Sequence, residues 1–487
     1  MATNRRDFIK KASMAGAGFF IVPRHVLGRG YIAPSDRLNL ACVGAGGKGQ
    51  SDIINSWNSD KNNVVSIADI DWNRAKTVID KFPKASKYRD WREMFDKEGK
   101  NFDAVTISTP DHNHAIVASA AIAMGKHVYV QKPLTHNIHE ARTLTELARK
   151  YKVVTQMGNQ GASSPGTKQF VEWFDKGMVG KVNTVYVWTN RPVWPQGRPS
   201  PTDTPPSPKD IDWNTWVGPA SEVQYNPLYH PFKWRGWWNF GTGALGDMAC
   251  HLIDPAYRAL GLGYPLEVEC SVGSVFSKDW ISDYNPDSCP PSSMVQLKFA
   301  ATKKNKSEVK LIWMDGGMRP FHPDIIPADI MMGEEDGSNG VLMMGEKGIL
   351  SCATYGHNPK IYYKGKPIVT MPKPDPNAVT LPENGHQASW TEACKAGFNS
   401  KEHKGLTSSF DFAGPLTESI LMGNLAIRSY DLRKETKPAT NGGRPSFDYE
   451  GRKKLIWDGI NMKITNFEAA NQYVRREYRN GWKLTEA

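Results

Sequence analysis

Leu38-Asn39-Leu40-Ala41-Cys42-Val43 is a short, mostly apolar run that opens directly into Gly44-Ala45-Gly46-Gly47-Lys48-Gly49. A G-x-G-x-x-G loop after such a run constrains the fold more than any other feature of the chain. It predicts a buried parallel strand, a phosphate-binding turn and a helix packed back on the sheet. Gly44 permits the tight turn, Gly46 and Gly47 let a pyrophosphate approach the backbone, and Gly49 lets the helix lie close to the strand. The helix start then offers its free N–H groups to the phosphates. A second strand, Val64 to Ala68, ends at Asp69, about 20 residues beyond Gly49, where a carboxylate accepts the ribose hydroxyls of an adenosine. An acid there repels a 2′-phosphate, so NAD(H) is expected over NADP(H). Asp71 is a rival carboxylate, and Arg74 lies close by.

Further βα units follow. Asp103–Ser108 reads as a strand ending in Thr109-Pro110-Asp111-His112-Asn113-His114, and an Ala-rich helix runs from there to Gly125. His127–Val130 is the next strand, closed by Gln131-Lys132-Pro133, and Val153–Met157 precedes Gly158-Asn159-Gln160. Ligands of open α/β sheets gather at the carboxyl ends of the strands. Ser108, Thr109, Pro110, His112 and Asn159 are therefore expected along the nicotinamide side of the cofactor. His112 and His114 serve equally well as caps of their loop. The expected domain runs over residues 35–157.

These motifs, with Ala68-Asp69-Ile70-Asp71, Gly125 to Pro133 and Gly246-Asp247-Met248-Ala249-Cys250-His251, resemble the Gfo/Idh/MocA family. The resemblance covers nearly all of the chain after its first 30 residues. It implies a Rossmann domain followed by an α/β domain with an open, mostly antiparallel sheet, placed here over 158–455, with a closing segment over 456–487. It also implies hydride transfer at a carbon of a sugar or cyclitol, and a homo-oligomer, dimer or tetramer. The family commonly carries Glu-Lys-Pro where this chain has Gln131-Lys132-Pro133, which puts the tuning of the lysine in question.

A hydride leaves an alcohol carbon only if the hydroxyl proton leaves too, so a base and an orienting donor are required. Asp247 and His251 are four residues apart, on one face of a helix. His251 is expected to take the proton, Asp247 to orient it or contact a neighbouring hydroxyl, and Lys132, carried over from the resemblance, to hold the reacting hydroxyl. Read without the resemblance, Asp247 is a helix cap and His251 a core histidine. Between Pro192 and Pro231 lie ten prolines, and half of the 16 tryptophans fall between Trp173 and Trp238. With Arg191, Tyr229, His230 and Trp237 this segment reads as a carbohydrate platform or as an excursion pinned by its own packing. Arg235 and Trp238 are its expected substrate contacts.

Charge and cysteine content exclude other classes. Six cysteines in 487 residues, none in metal spacing, make no disulfide framework and no metal site. The net charge is +11, and residues 1–30 hold six Lys/Arg against one Asp. No basic run interleaved with aromatics marks a nucleic-acid face. Asn4-Arg5-Arg6-Asp7-Phe8-Ile9-Lys10-Lys11 before an uncharged stretch to Pro23 has the parts of a twin-arginine export signal, so 1–30 is expected to be a signal peptide and the protein periplasmic. The apolar run is too short for a stable membrane span. The expected function is an NAD(H)-dependent oxidoreductase of sugars, glycosides or cyclitols. The alternatives are a redox-neutral, NAD-dependent glycosidase working through a 3-keto intermediate and elimination, and a non-catalytic nucleotide- or sugar-binding protein.

Overall fold

The computed structural model describes residues 36–371, 385–438 and 446–486. Residues 1–30, the expected signal peptide, lie outside them. Six strands, β1 (Asn39–Val43), β2 (Asn63–Ala68), β3 (Ser86–Tyr88), β4 (Ala104–Ile107), β5 (His127–Val130) and β6 (Thr155–Met157), form a parallel sheet in the order β3-β2-β1-β4-β5-β6. The order reverses between β1 and β4, which opens a crevice at their carboxyl ends. The crossover helices are α1 (Lys48–Trp57), α2 (Trp72–Lys81), α3 (Trp91–Glu98), α4 (Asp111–Ala123) and α5 (Ile138–Tyr151). Strand β3 was not legible in advance: its three residues, Ser-Lys-Tyr, carry no apolar run and lie at the sheet edge.

α4 is apolar nearly all round, and a helix of that kind has to be covered on every side. The C-terminal tail does this. Arg476 donates to the His112 carbonyl at 2.6 Å and pairs with buried Glu140, and the Thr485 N–H donates to Ser119 Oγ.

The chain then forms α6 (Pro165–Asp175), β7 (Val182–Thr189), α7 (Trp213–Val217), α8 (Gly243–Leu252) and α9 (Asp254–Leu260). Next come β8 (Glu267–Val272), β9 (Ser293–Phe299), β10 (Val309–Met314), β11 (Asn339–Gly345), β12 (Ile349–Cys352), β13 (Lys360–Tyr362) and β14 (Val369–Thr370). With β17 (Leu455–Asp458) and β18 (Lys463–Ile464) they make a ten-stranded sheet in which β7 and β10 run parallel and the other pairs antiparallel. β15 (Lys434–Lys437) and β16 (Ser446–Asp448) form a separate hairpin.

Two later helices lock the sheets together. α10 (Gly385–Ala396) returns to the first sheet, where Trp390 packs on Tyr129 with ring centroids 5.6 Å apart. α11 (Phe410–Tyr430) carries Pro415 in its second turn and lies against α5. A Cβ at Gly414 would come within 2.1 Å of Thr145 Oγ1, so glycine sets the closeness of that crossing. Beside it Arg142 grips Glu418 with two bonds of 2.8 Å, and the Glu418 side chain is 1% exposed. Arg142→Met strands that carboxylate and is expected to cost about 3–5 kcal/mol in a denaturant titration, most of it recovered in Arg142→Met/Glu418→Leu.

Candidate active site

The crevice between the two sheets is one cavity of about 620 Å³. At one end lies the glycine loop. Gly44 has φ 81° and Gly47 φ 56°, values that disfavour any side chain. No side chain caps α1 and no acid sits in its first turn, so the helix start stays open to an anion. Gly49 does not line the cavity; a Cβ there would meet the Gly44 carbonyl oxygen at 2.1 Å, which makes it a packing glycine.

Asp69 holds the loop from behind. Its Oδ2 accepts from the Ala45 and Gly46 N–H groups at 2.7 and 3.0 Å, and its Oδ1 from the Asp71 N–H at 2.8 Å. Burial raises its carboxyl above the usual range, and those three N–H bonds oppose the rise. Asp71 caps α2 through the Asn73 and Arg74 amides. Arg74 lies over the loop, with Nη2 3.2 Å from where a Gly47 Cβ would stand. This open helix start, cradle of glycines and carboxylate at the end of β2 fit the diphosphate and adenosine ribose of NAD.

At the other end Lys132, Asp247 and His251 meet. Lys132 follows β5, and its Nζ donates to Asp247 Oδ1 at 2.9 Å and to the Asp247 carbonyl at 3.0 Å. Arg235 Nε donates to the same Oδ1 at 3.0 Å. Burial raises the Asp247 carboxyl, but the charges of Lys132 and Arg235 outweigh it and hold the group well below the usual carboxylate range. His251 is pushed the other way, far below an ordinary histidine, by burial and then by the Lys132 charge, so the ring is neutral. No hydrogen bond joins Asp247 to His251: both cations bond Asp247 through its Oδ1, and His251 Nδ1 is buried without a partner. The ring is positioned by Tyr355, edge-on at 4.7 Å. Tyr355 itself sits at φ 61°, a strained conformation for a tyrosine.

The residues expected at the site separate into two groups. Gly44, Gly46, Gly47, Asp69, Ser108, Thr109, Pro110, Lys132, Arg235, Asp247 and His251 line the cavity. His112, Asn159 and Trp238 do not, and these expectations are corrected. The His112 ring is buried between the Phe240 and Trp216 carbonyls at 3.2 and 2.8 Å, and burial lowers it to about 3. Asn159 donates to buried Asp254 at 2.9 Å, and its neighbour Gln160 faces the cavity instead. Trp238 points away because the turn Lys233–Gly236 sends Arg235 inward and Trp238 outward, its ring centroid 5.6 Å from the Arg428 guanidinium. His114 spans the two strand-end loops, its ring nitrogens 2.7 and 2.8 Å from the Pro133 and Thr109 carbonyls.

Gln131 has a local explanation. Its Nε2 donates to Asp52 Oδ2 at 2.8 Å, and buried Asp52 also accepts from Ser108 and Gln387 and pairs with Lys48 at 3.0 Å. The carboxylate is supplied from α1, and a glutamate at 131 would set two acids against each other.

The Pro-rich segment covers the cavity from adenosine end to reaction end. Ile211 bridges to Asp71, the Asp212 N–H donates to the Ile70 carbonyl at 3.0 Å, and Arg89 ties Ile70 to Asp210. His230 Nε2 lies 3.7 Å from Asp71, five residues before Arg235 reaches Asp247. Asp111, Arg89, Trp194, Phe232 and Tyr355 also line the cavity. Asp111 stood inside a legible motif; Tyr355 lies far along the chain with no motif around it.

A six-stranded parallel sheet with this loop, joined to an open mixed sheet that closes the crevice, defines a dinucleotide-binding α/β protein of the oxidoreductase type. The chain belongs to the Gfo/Idh/MocA oxidoreductase family. The profile described as oxidoreductase family, NAD-binding Rossmann fold, matches residues 38–159, and that of the family's C-terminal alpha/beta domain matches 168–280. Levoglucosan dehydrogenase of Pseudarthrobacter phenanthrenivorans is 27% identical over 173 residues, which is 35% of this chain and 36% of that protein, so the chain spans about a third of this relative's length. The fold is shared with an inositol dehydrogenase homolog from Azotobacter vinelandii complexed with NADH and myo-inositol (TM-score 0.53, 16% identity, 79% of this chain and 93% of that one). It is also shared with aldose-aldose oxidoreductase from Caulobacter crescentus complexed with glycerol (TM-score 0.53, 15% identity, 80% and 98%).

Proposed function

We propose that the protein is an NAD(H)-dependent oxidoreductase that moves a hydride to or from a carbinol carbon of a sugar, glycoside or cyclitol. The observation that carries this reading is the single cavity with a dinucleotide cradle at one end and Lys132, Asp247 and His251 at the other. NAD, when bound, supplies the hydride acceptor. Two of the three Lys132 N–H groups are directed at Asp247, which leaves one to hold the substrate oxygen. The neutral His251 ring takes the hydroxyl proton as the carbon–hydrogen bond gives up its electron pair. Arg235 keeps Asp247 ionised and fixed, so Lys132 stays in place.

A redox-neutral cycle is favoured by one feature, the segment tied over the adenosine end through Ile211, Asp212 and Arg89. A retained cofactor is reduced by one half-reaction and reoxidised by the next, whether on two sugars or on one glycoside. The twin-arginine segment supports export to the periplasm of a protein already folded around its cofactor. Gln131, answered by Asp52, is no mark of lost turnover.

The test loads the protein with NAD, desalts it and adds a panel of glycosides, following reduced-cofactor absorbance and free sugar together. NAD is expected to survive desalting in the native protein and to be lost in Asp69→Ala. Reduced cofactor accumulating alone indicates a dehydrogenase or a sugar–sugar oxidoreductase; sugar release over many turnovers without net reduction indicates the glycosidase. A protein that takes up no NAD at millimolar supply overturns the reading.

A further inference from the structure

Outward from Arg235 the cavity wall changes character. Arg235 packs over three rings, Trp234 at 4.3 Å, Phe232 at 4.7 Å and Trp194 at 5.8 Å, and its Nη1 donates to the Phe232 carbonyl. Trp194 meets Phe232 edge-on at 5.9 Å and is fixed by its indole N–H, which donates to Gln196 at 2.9 Å. Trp194 is buried, whereas Phe232 is 46% exposed and neighbouring Val193 is 63% exposed, and all three line the cavity. Water therefore wets one face of an aromatic wall whose other face is anchored, through Arg235, to the carboxylate that holds Lys132.

An apolar surface left open beside a reaction centre this polar is not needed to bind one reacting sugar ring. Lys132, Asp247, Arg235 and Arg191 supply the polar groups for its hydroxyls, and the exposed apolar wall of Phe232 and Val193 continues the cavity outward beyond them. Tyr229 and Trp237 do not line the cavity: they are buried behind Trp234 with Trp216 and Phe240.

We infer that Phe232, Trp194 and Val193 form a second subsite, which takes a flat apolar group joined to the reacting sugar through its glycosidic bond. That group is either the C–H face of a second pyranose or an aryl aglycone; stacking on an aromatic ring serves both. The inference rests on the oxidoreductase reading for the identity of the reacting ring, and it assigns the substrate as an extended glycoside rather than a free monosaccharide.

The test is calorimetric titration of the NADH-loaded protein, which requires no turnover. The probes are glucose, methyl glucoside, cellobiose and 4-nitrophenyl glucoside, with the corresponding galacto and manno series. At least one extended ligand is expected to bind tenfold or more tighter than its methyl glycoside. The disaccharide and nitrophenyl arms separate the two sources of the flat group. Phe232→Ala is expected to weaken the extended ligand at least tenfold more than the methyl glycoside, and Phe232→Tyr to restore it. The proposal is overturned if no extended ligand gains over its methyl glycoside, if nothing in the panel binds, or if the gain survives Phe232→Ala. Selective binding of extended glycosides by the NADH-loaded protein, with neither cofactor reduction nor sugar release when the NAD-loaded protein is given the same ligands, leaves the subsite standing and removes the oxidoreductase reading.

Discussion

Lys132→Met is expected to lower kcat/KM about 10³-fold while the protein keeps its NAD. The methionine preserves the length of the stem and removes the charge together with the N–H directed at the substrate oxygen. Asp247 then retains Arg235 as its cationic partner, so the helix carrying it is not released. The glycine loop and Asp69 lie at the opposite end of the cavity and are untouched. Single-turnover reduction of bound cofactor measures the rate, and released nicotinamide measures occupancy. Turnover within tenfold of the native rate removes the lysine from the hydride site. The pH profile distinguishes the proton acceptor. A base whose ring is held far below the ordinary histidine range is already deprotonated in mild acid. The acid limb of kcat/KM therefore falls below that range, and the rate at about pH 6 stays close to that at about pH 7.5. A limb near the free histidine value removes His251 from that role.

Gly49→Ala is expected to abolish NAD retention and to cost ~3 kcal/mol or more. The added carbon would stand 2.1 Å from the Gly44 oxygen and 3.3 Å from Ser108 Cβ, and the nearer contact is backbone that cannot rotate away. Relief requires α1 to back off the strand, which moves the open N–H groups away from the phosphates. Bound nicotinamide per chain after desalting and the melting temperature check both effects together. An alanine variant that retains cofactor and melts with the native protein shows that the loop yields elsewhere.

The N-terminal half was legible because its signals are local. A strand, three glycines at fixed spacing and an acid at the end of the next strand determine one another within a few dozen residues. Lys132 was placed by the resemblance; its contact with Asp247 joins residues far apart in the chain and no spacing reveals it. His112 and Asn159 were misplaced for one reason: a strand-end residue faces the crevice or the neighbouring domain according to which side of the turn it leaves. The Trp216 and Phe240 carbonyls, which claim His112, come from the five-residue helix α7 and from the turn before α8, both too short for a periodicity to be read. Asp52 shows the same limit from the other side. It is the one acid of α1, with no motif to mark it, and only the packed structure reveals that Gln131 answers it.

Residues 230–235 touch both ends of the cavity, His230 beside Asp71 and Arg235 on Asp247. On the proposed function, nucleotide at one end and sugar at the other would both bear on the same short stretch of backbone. Whatever factor the sugar adds to the hold on the nucleotide, the nucleotide adds to the hold on the sugar, since the two affinities close one thermodynamic cycle. On that reading the two ligands strengthen or weaken each other through residues 230–235, and neither leaves without changing the hold on the other.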